Sequence, residues 1–76
     1  MISIDRDKEI LHMQIRLFRM ACTKWQKSTG ECADIFDKYD VDAYIRDGYE
    51  IFHVQGDEAN MDEISGYIRS QGGVSL

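Results

Sequence analysis

Apolar residues recur along the first third of the chain at the spacing of a long helix. Placed at 100° steps, five of them share one stripe: Leu11, Ile15, Phe18, Cys22 and Trp25. They are separated by 4, 3, 4 and 3 positions. This pattern predicts a first helix from about Asp5 to Trp25.

A second group of apolar residues lies beside this stripe. It comprises Ile10, Leu17 and Ala21, and it is extended by Met13 and Met20. Apolar side chains then cover about two-thirds of the circumference, whereas a surface helix needs an arc of little more than ~100°. We therefore expect the first helix either to be central, wrapped by the others, or to be partly buried against another molecule.

A short polar segment at 27–30 ends the first helix and begins a second. Ser28 and Glu31 have the Ser-x-x-Glu spacing of a capping box, in which the hydroxyl accepts from a free backbone N–H and the glutamate reaches back to the cap. A second helix is predicted to about Lys38. Its apolar residues follow the i, i+3, i+4, i+7 pattern and are Cys32, Ile35, Phe36 and Tyr39.

Two more helices are predicted in the rest of the chain. Asp40 or Asp42 caps the third, whose buried stripe is Val41, Tyr44, Ile45, Gly48, Tyr49 and Phe52. Residues 49–54 would also suit a strand, but a lone strand has no ladder partner, so a helix is favoured. Asn60 and Glu63 repeat the capping spacing before a last helix from about Met61 to Ser70, and the tail 71–76 is expected to fray.

These elements predict an all-α fold, with residues 1–76 forming a single small domain of about four helices around a long first helix. A chain of 76 residues allows one domain, and it contains no proline to interrupt a helix. The expected core comprises Phe18, Cys22, Trp25, Ile35, Phe36, Ile45, Phe52 and Ile64.

Charge is unevenly distributed along the chain. Residues 1–27 carry six basic against three acidic residues, a net charge of +3, and residues 28–76 carry three basic against eleven acidic residues, a net charge of −8. An acidic chain repels phosphate backbones, so nucleic-acid binding is not expected. Packing of the first helix against the rest explains the asymmetry most simply, and steering of a charged partner is the alternative.

The residue types that carry chemistry do not form a recognisable site. Cys22, Cys32, His12 and His53 lack the close pair spacings of a zinc site, and both cysteines lie on apolar stripes. We therefore expect no catalysis, no metal, no cofactor and no small-molecule substrate. The apolar runs are short and interrupted by charges, and the start lacks a secretion pattern, so no membrane association and a cytoplasmic location are expected.

Several short runs resemble a known family. They are Phe36-Asp37-Lys38-Tyr39, Tyr44-Ile45, Tyr49-Glu50-Ile51-Phe52-His53, Gly56-Asp57 and Ile64-Ser65-Gly66-Tyr67-Ile68. Together they resemble the bacterial family DUF3791, a domain of unknown function, over about residues 10–68. The resemblance implies a short helical bacterial protein whose gene often lies beside one for an ADP-ribosyltransferase-like domain, an arrangement that suggests a toxin and its partner. It implies no catalytic residues.

We therefore predict a non-enzymatic protein-interaction module, a neutralising or regulatory partner of a neighbouring toxin-like protein. The alternative is a homodimeric structural or regulatory domain. The predicted interaction surface is the strip Met13, Leu17 and Met20, with Arg16 and Lys24 as its polar rim. His53 is predicted to be structural, donating to the last free carbonyls of the third helix.

Overall fold

The computed structural model describes residues 3–73, with side chains from residue 5 onward, and these residues form five helices. The helices are α1 (Ser3–Trp25), α2 (Thr29–Lys38), α3 (Val41–Asp47), α4 (Tyr49–Phe52) and α5 (Asp57–Ser70). Within the described range there is no strand. The predicted all-α fold around a long first helix is confirmed; of the predicted tail, residues 74–76 lie outside the described residues.

Helix α1 runs through the middle of the molecule and contacts α2, α3 and α5. Its 23 residues make it about 35 Å long. The buried face of α1 consists of Ile10, Met13, Leu17 and Ala21. These residues join a single cluster with buried residues of the other four helices, so α1 is the central element of the core.

The first apolar stripe of α1, of which Phe18, Cys22 and Trp25 were predicted as core, is exposed at its start. Leu11 and Ile15 are 52% and 43% exposed, and Phe18, Cys22 and Trp25 are only partly buried against the core. Helix α2 has ten residues, about 15 Å, and this is too short to cover the whole stripe. Of the rest of the predicted core, Phe36, Ile45, Phe52 and Ile64 are buried and Ile35 is partly buried.

The prediction that Met13, Leu17 and Met20 form an exposed interaction strip is wrong. Met13 and Leu17 are buried inside the single chain, at 4% and 0% exposure, and Met20 is half-buried. The other helices bury the Leu17 side of α1 and leave only Leu11 and Ile15 of the first stripe exposed.

Gly48 divides the predicted third helix into α3 and α4. Its N–H donates to the carbonyl of Tyr44 and ends α3, and its own carbonyl accepts from Ile51 and Phe52 and begins α4. A Cβ added at this position would lie 3.1 Å from the ring of Phe52 and 3.3 Å from Tyr44 O. Glycine therefore allows the buried Phe52 ring to approach the backbone closely.

The predicted capping box of α2 is present. Glu31 N–H donates to Ser28 Oγ at 3.1 Å, and Ser28 N–H donates to Glu31 Oε1 at 2.9 Å. The second prediction of this kind is wrong: α5 begins at Asp57 after Gly56, so Asn60 is inside the helix rather than at its start. Acidic residues in the first turn of α5 suit the positive end of the helix dipole, which favours the earlier start.

Replacing Ser28 with alanine is expected to lower the free energy of unfolding by about 1 kcal/mol in urea titrations at neutral pH, through loss of the cap. Because its bonds to Ser28 hold the pKa of Glu31 below its usual value, the contribution of the glutamate is present at neutral pH and is lost as the pH falls through the acid range. Alanine keeps the backbone N–H of residue 28, the largest cause of this lowered pKa, so Ser28→Ala should retain most of the acid dependence. Thr29→Ala, at the neighbouring exposed hydroxyl, is the control, and an equal loss there would contradict the cap.

Candidate protein-binding groove

An open groove lies between α1 and α2, and apolar side chains form its floor. Leu11, Ile15 and Phe18 contribute from α1, and Ala33 and Phe36 contribute from α2. Its volume is about 600 Å³, enough to hold several side chains. We call this surface the α1–α2 groove.

The groove exists because the aromatic contacts of α2 are made with the second half of α1. The ring of Phe36 packs edge-on against Phe18, with centroids 5.1 Å apart, and lies 6.3 Å from the ring of Trp25. This anchors α2 beyond Ile15. Leu11 and Ile15 therefore remain exposed instead of joining the core.

The rim of the groove is charged. Asp37, Asp40 and Asp42 line one part of it, and Arg19 of α1 lines another. Gln14 Nε2 donates to Asp42 O at 2.8 Å and holds the start of α3 beside this part of α1. Burial, and then the charge of Asp40, raise the pKa of Asp42, so a cation near these carboxylates would be favourable.

Other basic residues of α1 are already paired within the chain. Three exposed ion pairs join α1 to α4 and α5: Arg6–Glu50 at 2.6 Å, Arg16–Asp57 at 3.3 Å and Lys24–Glu58 at 3.1 Å. The uneven charge along the chain thus serves to pair the basic first helix with acidic residues of α4 and α5. Each exposed ion pair adds only about 0–1 kcal/mol to the stability. Arg16 and Lys24, predicted as the polar rim of an interaction surface, are therefore paired with Asp57 and Glu58 of the same chain.

His53 is the C-cap residue of α4, but its ring does not act as predicted. The ring stacks on Tyr49, with centroids 5.0 Å apart and an interplanar angle of 11°. The carbonyl of Phe52 accepts instead from Asn60 Nδ2 at 3.0 Å. Glu63, predicted as the partner of a cap, accepts from the hydroxyl of Tyr44 at 3.4 Å.

Asn60 is the structural residue whose role was missed in the sequence. It is fully buried, and its Oδ1 accepts from Gln55 Nε2 at 2.9 Å. The signal was its position four residues before Ile64 and eight before Ile68, which places an amide on an apolar face of α5.

The two cysteines are adjacent across α1 and α2, where the thiol of Cys22 forms a hydrogen bond with that of Cys32. Burial, and then the hydrogen bond with the Cys22 thiol, raise the pKa of Cys32 to about 12, so this thiol is protonated at neutral pH. Among the described side chains, no group of three or more histidine, cysteine or acidic residues could hold a metal ion. None of the described helices is long and apolar enough to cross a membrane.

A family described as "Protein of unknown function (DUF3791)" matches residues 12–71. The chain belongs to this family. The resemblance seen in the sequence is thereby confirmed, and most of the groove of this DUF3791 chain lies inside the matched range. Neither a curated protein nor a solved structure matches the chain.

Proposed function

We propose that this DUF3791 chain is a non-enzymatic protein-interaction module that receives a helix of a client protein in the α1–α2 groove. The supporting observation is the exposure of Leu11 and Ile15, at 52% and 43%, beside the rings of Phe18 and Phe36. Apolar surface of this kind with a polar rim is characteristic of protein-binding sites.

The residues that line the groove indicate which side chains a bound helix would present to it. Grooves between helices accept amphipathic helices whose apolar anchors are three or four residues apart. The carboxylates of Asp37, Asp40 and Asp42 at the rim favour a basic residue on the same face of the incoming helix. The ligand is therefore a helix with two apolar side chains one turn apart and a basic residue beside them.

We further propose that the client is a neighbouring toxin-like protein, which this chain neutralises or regulates in the bacterial cytoplasm. The genetic arrangement implied by the DUF3791 resemblance supports this choice of client. The two free thiols, Cys22 and Cys32, suit a reducing compartment.

Ile15→Glu is expected to weaken client binding by at least about thirtyfold, since it places a charge at the centre of the apolar floor. The test is co-expression of the tagged chain with the product of the neighbouring gene, followed by co-purification. Ile15 is exposed, so the variant should keep the helical circular dichroism of the wild type.

Val54→Glu is the matched control, because Val54 is 72% exposed and lies outside the groove. It should leave co-purification unchanged. Binding that survives Ile15→Glu would overturn the groove as the binding surface. A wild-type chain that retains none of the neighbouring product would overturn that product as the client.

A further inference from the structure

We infer that a second copy of this chain occupies the α1–α2 groove, with the two α1 helices packed antiparallel across a two-fold axis near Ile15. This inference rests on the proposed function, since it takes the groove to be a helix-binding surface. A second copy in the groove would also regulate the access of a client protein.

The exposed face of α1 has the chemistry that the groove selects. Leu11 and Ile15 are apolar and one turn apart, and Arg19 follows one turn later on the same side. The same face of α1 therefore lines the groove of one copy and has the residues that the groove of another copy would bind. Such self-complementarity is what an isologous interface requires.

The spacing brings opposite charges together when the axis passes near Ile15. In an antiparallel pair of identical helices, a residue that lies some distance before the two-fold axis faces the residue of the other copy that lies the same distance after it. Leu11 and Arg19 each lie four residues from Ile15, about 6 Å along the helix. Arg19 of the second copy therefore falls beside Leu11, at the part of the groove where the Gln14–Asp42 hydrogen bond holds the start of α3.

The charges at these positions form no ion pair within the described part of the chain, although the charge of Arg46 acts on Asp42 and offsets part of the rise in its pKa. Three basic residues of α1 form intrachain ion pairs, but Arg19 does not, and neither do Asp37, Asp40 and Asp42. The two-fold arrangement brings Arg19 of each copy toward Asp42 at the start of α3 in the other copy. Asp37, which follows Phe36, lies instead on the Phe18 side of Ile15. Charge complementarity of this kind fixes the register of an interface.

The dimer is expected to be weak and reversible. A standard interface buries ~800 Å² on each partner, a large share of a chain whose whole accessible surface is 4960 Å². The net charge of −5 on each copy also opposes association. Because the groove holds one helix at a time, a second copy and a client exclude each other, so self-association regulates access to the site.

The test is sedimentation equilibrium of the full chain from micromolar to near-millimolar concentration. The apparent mass should rise toward that of a dimer. Arg19→Glu should lower the association constant at least about tenfold, because it sets carboxylate against carboxylate. Asp42→Arg should do the same from the other side; Asp42 is in the regular helix α3, whereas Asp40 has a φ of 52°, where arginine would be strained.

Rescue by charge exchange separates this pairing from a general loss of stability. The double variant Arg19→Glu with Asp42→Arg should regain wild-type association, and so should an equimolar mixture of the two single variants, in which both contacts again join opposite charges. Circular dichroism of each variant checks that it is folded. Single variants that weaken the dimer without rescue in either form would overturn the antiparallel pairing.

Two further outcomes separate the second copy from the proposed function. A chain that stays monomeric at every concentration, while Ile15→Glu still abolishes client binding, would overturn the second copy as occupant and leave the interaction module standing. A dimer that is indifferent to both Ile15→Glu and Arg19→Glu would overturn the groove as its interface.

Discussion

Leu17→Asp is expected to unfold this chain at room temperature. Leu17 is fully buried at the centre of α1, and removing a buried leucine side chain costs about 2–5 kcal/mol. A carboxylate placed there has no partner and adds a desolvation penalty of several kcal/mol. A small domain has a total stability of about 5 kcal/mol or little more, so the sum exceeds what it can lose. Far-UV circular dichroism should show loss of helix.

Ile15→Asp is the matched control for this prediction. It introduces the same charge into the same helix two residues earlier, where the side chain is 43% exposed. The variant should keep its helical spectrum and a cooperative thermal transition. If Leu17→Asp stays folded, or if both variants unfold alike, the assignment of Leu17 to the core and of Ile15 to the surface is wrong.

The contrast between these two residues shows what periodicity can and cannot predict. Spacing showed correctly that Ile15 and Leu17 belong to two apolar stripes of one long helix. It could not show which stripe the other helices would cover, because that depends on where α3 and α5 pack. The sequence left open whether the wide apolar arc of α1 is wrapped by the other helices or partly covered by another molecule. The structure buries the Leu17 side and leaves Leu11 and Ile15 exposed.

Helix boundaries were predictable where the deciding contacts are local. The capping box of Ser28 and Glu31 involves two residues in one turn, and both of its hydrogen bonds are present. The same spacing at Asn60 and Glu63 was misleading, since Asn60 bonds to Phe52 across the turn between α4 and α5. A tertiary hydrogen bond of this kind leaves no mark in the local spacing.

The groove was not predicted from the sequence. Its floor joins Leu11 and Ile15 to Phe36, and its rim adds Asp37 and Asp42, residues that are distant in sequence from α1. Their proximity results from the short length of α2 and from the hydrogen bond of Gln14 to the start of α3. The amphipathic pattern of each helix does not predict how the helices are placed relative to one another.

Asn60→Asp is expected to lower the free energy of unfolding by about 2–4 kcal/mol at neutral pH, with partial recovery in acid. Asn60 is fully buried, donates to the carbonyl of Phe52 and accepts from Gln55. A carboxylate of nearly the same shape can still accept from Gln55 but cannot donate to Phe52 O. It would set two acceptors against each other in a buried site.

The pH dependence follows from the protonated form of the new side chain. A neutral carboxylic acid can donate to Phe52 O, and burial disfavours its ionised form, so the pKa of the introduced acid should be raised in the folded state. The native-like bond is then available below the unfolded-state pKa of about 3.9, and its contribution is lost as the pH rises through the higher pKa of the folded state. The deficit relative to wild type should therefore be smallest in mild acid and largest at neutral pH.

Urea titrations of wild type and variant at neutral pH and in mild acid measure this deficit directly. Ala59→Asp is the control, because it adds the same charge one residue away at an exposed position of α5. It should change stability little and show no comparable recovery in acid. A deficit for Asn60→Asp that is equal at both pH values would mean that the site does not select a donor. Recovery confined to position 60 would show that Asn60 holds α5 to the end of α4 by donating to Phe52.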